Sequence, residues 1–249
     1  MIGKVAFVYL VTMACVVVAC GRQVTPNPPG FGAGGAAPGF MTIKYDIAGP
    51  LNFSAYQYWV IFNTSGNGLT PLTNTFQTNW AAYSAGTEAA GLNGGTSAWA
   101  VQFLKSAQPG PPAFFHVIAP GQQFQYILNS NGLNTEFSMT LQRVVFNPIN
   151  VTPAPSPTPP PHIWRFNAFV TQASVPNQLL FLDSMGPGGA TDTQFSSPQL
   201  DINQCFDQVF YKQQDVNPPS DPSAQLVSVQ IANNPSPGPS SSPCPSSSP

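Results

Sequence analysis

Four aspartates that lie close together in the chain are the residues whose chemistry is easiest to name: Asp183, Asp192, Asp201 and Asp207. Their oxygens could bind Ca²⁺, which takes about six to eight oxygen ligands. Two carboxylates at a suitable separation could also act as the acid and base of a glycosidase. The spacing matches no calcium-binding loop, and turn-capping carboxylates are commoner, so no metal site is assigned. Asp183 and Asp192 remain the candidates for calcium and for a hydrolase.

The two histidines, His116 and His162, have no recognisable catalytic partners in the sequence. Nucleophilic catalysis needs an activated Ser or Cys, a base and an orienting acid. The chain contains no G-x-S-x-G element, no spaced Cys/His set typical of zinc and no glycine-rich phosphate loop between a strand and a helix. The sequence therefore disfavours an enzyme, and we expect no cofactor.

Four tryptophans could offer flat faces to a sugar ring, with the many amide and hydroxyl side chains supplying hydrogen bonds. Trp59, Trp99 and Trp164 lie on strand faces whose pattern predicts core packing. Trp80, with Tyr83 nearby, is the best candidate for an exposed ligand-binding surface.

The N-terminal segment 1–19 has the pattern of a signal peptide. Lys4 precedes 15 residues, 5–19, of which all but one are apolar. This run is shorter than the roughly 20 residues that a membrane-spanning helix needs. Ala19 directly precedes Cys20, and the two residues before Ala19 are branched and apolar. This pattern resembles the lipobox of bacterial lipoproteins.

The resemblance implies that the chain is cut before Cys20 and that the Cys20 thiol is acylated. Stable anchoring takes more than one acyl chain, and a triacylated cysteine would meet that condition. Gly21 rather than aspartate follows, which resembles the sorting rule that permits export to an outer membrane where the organism has one. The implied address is the cell surface or the periplasm, and the implied partner is a membrane.

Two further cysteines, Cys205 and Cys244, would remain in the exported chain. An exported chain with a leftover pair favours a disulfide. In the chain-entropy model a loop of about 40 residues contributes roughly 4 kcal/mol of stability. The alternative is that Cys244 is a free thiol available to a partner.

The composition limits the possible functions. Only 6% of the residues are charged, against about 25% in an ordinary soluble domain. Cleavage before Cys20 would leave a net charge of −3 and no basic patch, which argues against a nucleic-acid partner. The chain is 42% hydrophobic, which is enough to form a core.

The composition also divides the chain into regions. Residues 20–39 form a Gly- and Pro-rich tether, and 40–234 form the folded domain. Seven prolines in 148–161 predict an extended connection, either a surface crossover or a subdomain boundary, rather than a docking segment for a proline-reading partner. Residues 235–249 are rich in Pro and Ser and predict a disordered tail.

The folded region predicts an all-β, antiparallel β-sandwich, Ig-like or jelly-roll-like, with about ten strands and few or no long helices. Residues 41–47 alternate apolar and polar, whereas 56–62 are apolar enough for a strand buried on both faces. We expect a loop at 87–95, a paired couple of strands at 113–118 and 122–128, and a strand or short helix at 204–213.

These observations favour a non-catalytic, lipid-anchored protein that binds or scaffolds an envelope component. One alternative is a carbohydrate-binding β-sandwich module of the cell envelope, with a glycan as its ligand. A second alternative is an envelope polysaccharide hydrolase that uses Asp183 and Asp192.

Overall fold

Twelve β-strands form two antiparallel sheets in the computed structural model, which describes residues 38–73, 84–92, 95–103, 114–117, 123–128, 134–146, 161–173, 179–192 and 194–235. The strands are β1 Phe40–Ile47, β2 Tyr56–Asn63, β3 Ser84–Leu92, β4 Gly95–Phe103, β5 Phe114–Val117, β6 Gln123–Leu128, β7 Asn134–Gln142, β8 Ile163–Gln172, β9 Phe181–Ser184, β10 Leu200–Asp201, β11 Phe206–Tyr211 and β12 Leu226–Asn234.

The first sheet has five strands in the order β11-β12-β1-β7-β6. The second has seven, in the order β10-β8-β2-β3-β4-β5, with β9 also paired to β8. Short 3-10 turns occur at 143–146, 189–191 and 222–224. Within the described ranges no helix is long and apolar enough to cross a membrane. The two antiparallel sheets confirm the predicted all-β sandwich.

Alternation along the strands builds the core between the two sheets. In β1 every second side chain is buried, from Met41 to Ile47. These side chains join a cluster that includes Phe137 of β7, and Phe62 and Phe166 of the second sheet. The period of two fixes which face of each strand is apolar, and so fixes the register of the sheet.

Strand β2 is buried on both faces, as its sequence predicts. Tyr58 and Phe62 face the core between the sheets. Trp59 and Ile61 belong to a second apolar cluster on the opposite face of the seven-stranded sheet, together with Phe169 and other side chains. We call that face the outer face. It is the place where side chains of several strands come together away from the main core.

The structure corrects two of the predictions made from the sequence. Residues 84–92 form strand β3 rather than a loop at 87–95. The strands near 113–118 and 122–128 do not pair with each other, because β5 joins β4 and β6 joins β7 in the other sheet. The ambiguous region at 204–213 contains strand β11.

Candidate functional site

The outer face of the seven-stranded sheet carries the group of side chains best suited to hold a ligand. Val101 and Phe103 of β4 are buried on this face. The even-numbered Ala98 and Ala100 face the core between the sheets instead. Trp99 is only partly buried and packs at the margin of the outer cluster.

Trp99 and His116 form a stacked pair on this face. Their ring centroids lie 4.4 Å apart and their planes differ by 19°. His116 lies opposite Val101 in the β4–β5 ladder, so Trp99 is its diagonal neighbour, within reach of large side chains. The His116 side chain is 37% exposed. A flat and partly open surface therefore sits near β5, the edge strand of the sheet.

Glu88 holds the imidazole of His116 in place. Its Oε2 lies 2.6 Å from His116 Nε2, and the Glu88 side chain is only 3% exposed. Glu88 lies directly opposite Trp99 in the β3–β4 ladder. A buried carboxylate is costly without a partner, so this contact fixes both the carboxylate and the ring.

A layer of buried aromatic and polar side chains supports the stacked pair from the side. Phe114 meets Trp59 edge to face, with centroids 5.1 Å apart, and also contacts His116 at 5.9 Å. Trp59 Nε1 donates a 2.8 Å hydrogen bond to Thr171 Oγ1. The Thr171 hydroxyl then donates to Gln57 Oε1 at 3.1 Å. The indole of Trp59 is thus satisfied and rigid, and it serves as structure rather than as an open surface.

The chemistry available here is stacking and hydrogen bonding. His116 contacts Glu88, Trp99 and Phe114 among the described residues. A Glu–His pair can orient a base for a nucleophile, yet none of these described neighbours is Ser, Thr or Cys. The groups that this arrangement can offer to a ligand are the Trp99 and His116 rings.

Asp183, a candidate from the sequence, is part of a buried ion cluster. The Lys212 ammonium contacts Asp183 Oδ1 and lies 2.5 Å from Asp215 Oδ2. Asp183 Oδ2 accepts a 2.8 Å hydrogen bond from the Leu226 amide. Burial raises the pKa of the Asp183 carboxyl to about 6, against the lowering influence of Lys212 and the Leu226 amide. The cation beside these carboxylates is thus the chain's own lysine.

Asp192, the second candidate, is also fully buried. Its Oδ2 accepts a 2.9 Å hydrogen bond from the side-chain amide of Asn167, and its Oδ1 accepts from the Phe195 amide at 3.1 Å. Asn167 also donates to the Pro71 carbonyl at 2.8 Å. Asp192 therefore organises a loop. No group of three metal-ligating side chains occurs within the described ranges.

The other predicted site residues lie mainly outside the described residues: Trp80, Tyr83, Cys20 and Cys244. Cys205 is disulfide-bonded. The other three cysteines of the chain are outside the described ranges, so the pairing with Cys244 stays a prediction. Core packing was predicted for three tryptophans. Trp164 is buried in the main core and Trp59 is buried in the cluster of the outer face, whereas Trp99 is only partly buried.

Sequence reasoning missed Glu88, Lys212 and Asp215 as members of clusters. Glu88 lies in the segment predicted as a loop. Lys212 lies within the ambiguous segment 204–213, directly after β11. One available signal was that charged residues are rare. Because only 6% of the residues are charged, those present could be expected to have partners.

Comparisons with protein-family models, with curated proteins and with solved structures found no match to this chain.

Proposed function

We propose that this chain is a non-catalytic, lipid-anchored binding or scaffolding protein that works outside the cytoplasm. The lipobox-like pattern before Cys20 supports the anchored address. The stacked pair of Trp99 and His116 supports binding as the activity.

The observation that carries the proposal is a partly open ring pair fixed on rigid strands by a buried carboxylate. Trp99 and His116 sit on neighbouring strands, and Glu88 orients the imidazole from a third. Rings held in one arrangement before binding lose little conformational freedom when a partner docks. The few residues that dominate the binding energy of protein interfaces are enriched in Trp.

The same ring pair supports the carbohydrate-binding alternative. Sugar rings expose an apolar face that stacks on an indole, and their hydroxyls bond to imidazole and carboxylate groups. Trp99 and the exposed part of His116 provide an indole and an imidazole on one sheet face, whereas Glu88 is only 3% exposed and holds the imidazole in place. Trp80 and Tyr83, which the sequence suggested, lie outside the described residues.

The hydrolase alternative loses the two carboxylates on which it rested. Asp183 is held by Lys212 and the Leu226 amide, and Asp192 is held by Asn167 and backbone amides. Both side chains are fully buried, so neither is placed to meet a polymer.

Membrane fractionation and pull-down from native membranes test the proposal. Wild type and Cys20→Ser are compared first, and Cys20→Ser is expected to leave the membrane fraction. An unchanged distribution would remove the anchored address.

The binding surface is tested separately with Trp99→Ala and with a matched control, Tyr211→Ala. Tyr211 is 74% exposed on β11 of the other sheet. Trp99→Ala is expected to lose the captured component, whereas Tyr211→Ala keeps it. Recovery of a defined protein favours the scaffold, and recovery of polysaccharide alone favours the carbohydrate-binding alternative. Equal capture by Trp99→Ala and wild type would exclude this face.

A further inference from the structure

A polar cavity of about 460 Å³ lies where β1 begins, β7 ends and the chain enters β8. Its volume is within the range of small-molecule sites. No acidic side chain contributes to its described lining. The residues that line it include Gly39, Phe40, Gln142, Arg143, His162 and Asn203.

Arg143 is fixed at the wall of this cavity. Its backbone amide donates a 3.0 Å hydrogen bond to the Gly39 carbonyl. One guanidinium nitrogen donates to the carbonyl of Ile202. A guanidinium carries five N–H donors in a planar fork, so most of its donors remain for a ligand.

Arg143 also lacks a counter-ion among the described residues. Lys44 pairs with Glu136 at 2.8 Å, and Lys212 pairs with Asp183 and Asp215. Arg143, by contrast, bonds to a carbonyl oxygen alone. Burial lowers the pKa of Arg143, as expected for a cation that has lost part of its water without gaining a carboxylate.

The neighbouring side chains add further donors. His162 is exposed and Gln142 is half-buried, and both line the cavity. Asp201 directly precedes the lining residue Ile202, and its Oδ1 accepts a 3.0 Å hydrogen bond from the backbone amide of Asn203.

The cavity lies at the point where the predicted tether joins the domain, because Pro38 and Gly39 form part of its wall. Val144, on the same rim, is 61% exposed and apolar. A flexible segment of the length of 20–39 spans roughly 25 Å. A domain held on that segment would keep this cavity near phospholipid headgroups.

We propose that this cavity binds a phosphate group, with Arg143 as the principal ligand and His162 as a second. Arg is suited to phosphate because its planar fork matches two phosphate oxygens. The phosphate could belong to an anionic phospholipid or to a water-soluble phosphate compound. The lipid source rests on the proposed anchoring at Cys20, whereas phosphate binding itself does not.

The test uses the whole mature chain, residues 20–249, carrying Cys20→Ser so that no acyl chain contributes. Inorganic phosphate is titrated at constant ionic strength. Binding is then measured to vesicles of phosphatidylglycerol with phosphatidylcholine, and to vesicles of phosphatidylcholine alone. Arg143→Gln is expected to weaken phosphate binding roughly 10- to 100-fold, the usual worth of a charged hydrogen bond.

Arg165→Gln is the matched control. Arg165 also donates from its guanidinium to a carbonyl, that of Ser197, but it lies outside the described cavity lining. His162→Gln is the second variant, because its exposed side chain can change without unfolding the domain. It is expected to weaken phosphate binding by a few fold.

Phosphate binding that falls in Arg143→Gln and His162→Gln but not in Arg165→Gln supports the site. Preference for phosphatidylglycerol vesicles then identifies the lipid source, and its absence identifies a soluble one. The proposal fails if wild type binds neither probe, if Arg165→Gln weakens binding as much as Arg143→Gln, or if a folded His162→Gln binds as wild type. The anchoring at Cys20 is tested separately, by the membrane fractionation of wild type and Cys20→Ser, and its failure would not change the phosphate measurements.

Discussion

The hydroxyl of Tyr45 donates a 3.0 Å hydrogen bond to the backbone carbonyl of Phe169 and so joins the two sheets across the core. Tyr45 lies in β1 of the five-stranded sheet, and Phe169 lies in β8 of the seven-stranded sheet. The Tyr45 ring stacks on Phe137, with centroids 5.3 Å apart. Burial raises the pKa of Tyr45 well above its ordinary value, so the hydroxyl remains a donor.

Replacing Tyr45 by Phe should lower the free energy of unfolding by about 1–2 kcal/mol. The change keeps the ring but removes the donor, and the loss of a buried partner costs roughly that much. Denaturant unfolding followed by circular dichroism measures the difference. Tyr211→Phe, in which the ring is 74% exposed, is the control and should change little. Equal stability of wild type and Tyr45→Phe would contradict the role of this bond.

Replacing Lys212 by Met should destabilise the protein by about 3–5 kcal/mol. It leaves the Asp183 and Asp215 carboxylates buried without their cation, and breaking a buried pair from one side costs about that much. The double variant Lys212→Met with Asp183→Asn should recover part of the loss. Lys44→Met is the control, because its pair with Glu136 is partly exposed and is worth at most about 1 kcal/mol.

Asp183 should make the wild type gain stability as the pH falls. Burial raises its folded-state pKa to about 6, whereas an unfolded aspartate titrates near about 3.9. The folded protein therefore takes up a proton between these values before the unfolded chain does, and stability from this group is lost again as pH rises through 6.

The comparison of wild type with Asp183→Asn isolates that contribution from other carboxylates. Moving from pH 7 to pH 4.5 should favour wild type by about 2 kcal/mol relative to the variant. Unfolding curves collected at several pH values give the slope for each protein. Parallel slopes would show that Asp183 titrates alike in the folded and unfolded states.

Much of the fold could be predicted because local patterns agree with the tertiary structure. The alternation in β1 and the run in β2, apolar except for Gln57, each predict a strand and its buried faces. Strand β3 could not be predicted, because alanine and glycine are depleted in strands. Its small side chains fit there because they lie opposite large ones, Ala85 opposite Phe62 and Ala89 opposite Tyr58.

The candidate site was less accessible to sequence reasoning because its contacts depend on strand pairing. Glu88 and His116 are 28 positions apart and meet only through the order β3-β4-β5. Asp183 is a candidate site residue in the sequence, but several loops separate it from its partner Lys212 along the chain. The residue types indicate which interactions are possible, but the pairing register of the strands decides which side chains come into contact.

The disulfide of Cys205 should join it to Cys244 in the mature chain. Cys205 is disulfide-bonded, and cleavage before Cys20 would leave Cys20 acylated and Cys244 as the available thiol. Peptide mapping without reduction should recover one fragment containing both cysteines. Cys205→Ser should lower the free energy of unfolding by about 2–4 kcal/mol, and a mixed disulfide between two chains would instead appear as a dimer on a non-reducing gel.

Comparing Trp59→Ala with Trp99→Ala should show which side chain of the outer face stabilises the fold and which one binds the ligand. Trp59 is 1% exposed and bonded to Thr171, so its removal leaves a cavity and a buried hydroxyl, at a cost of about 3–5 kcal/mol.

Trp99 is only partly buried and stacks on His116, so Trp99→Ala should cost about 1 kcal/mol while abolishing ligand capture. Paired unfolding curves and pull-downs give both quantities for each variant. If Trp99→Ala were as destabilising as Trp59→Ala, the stacked pair would belong to the core. The proposed binding face would then lose its main support, because loss of capture would follow from loss of folding.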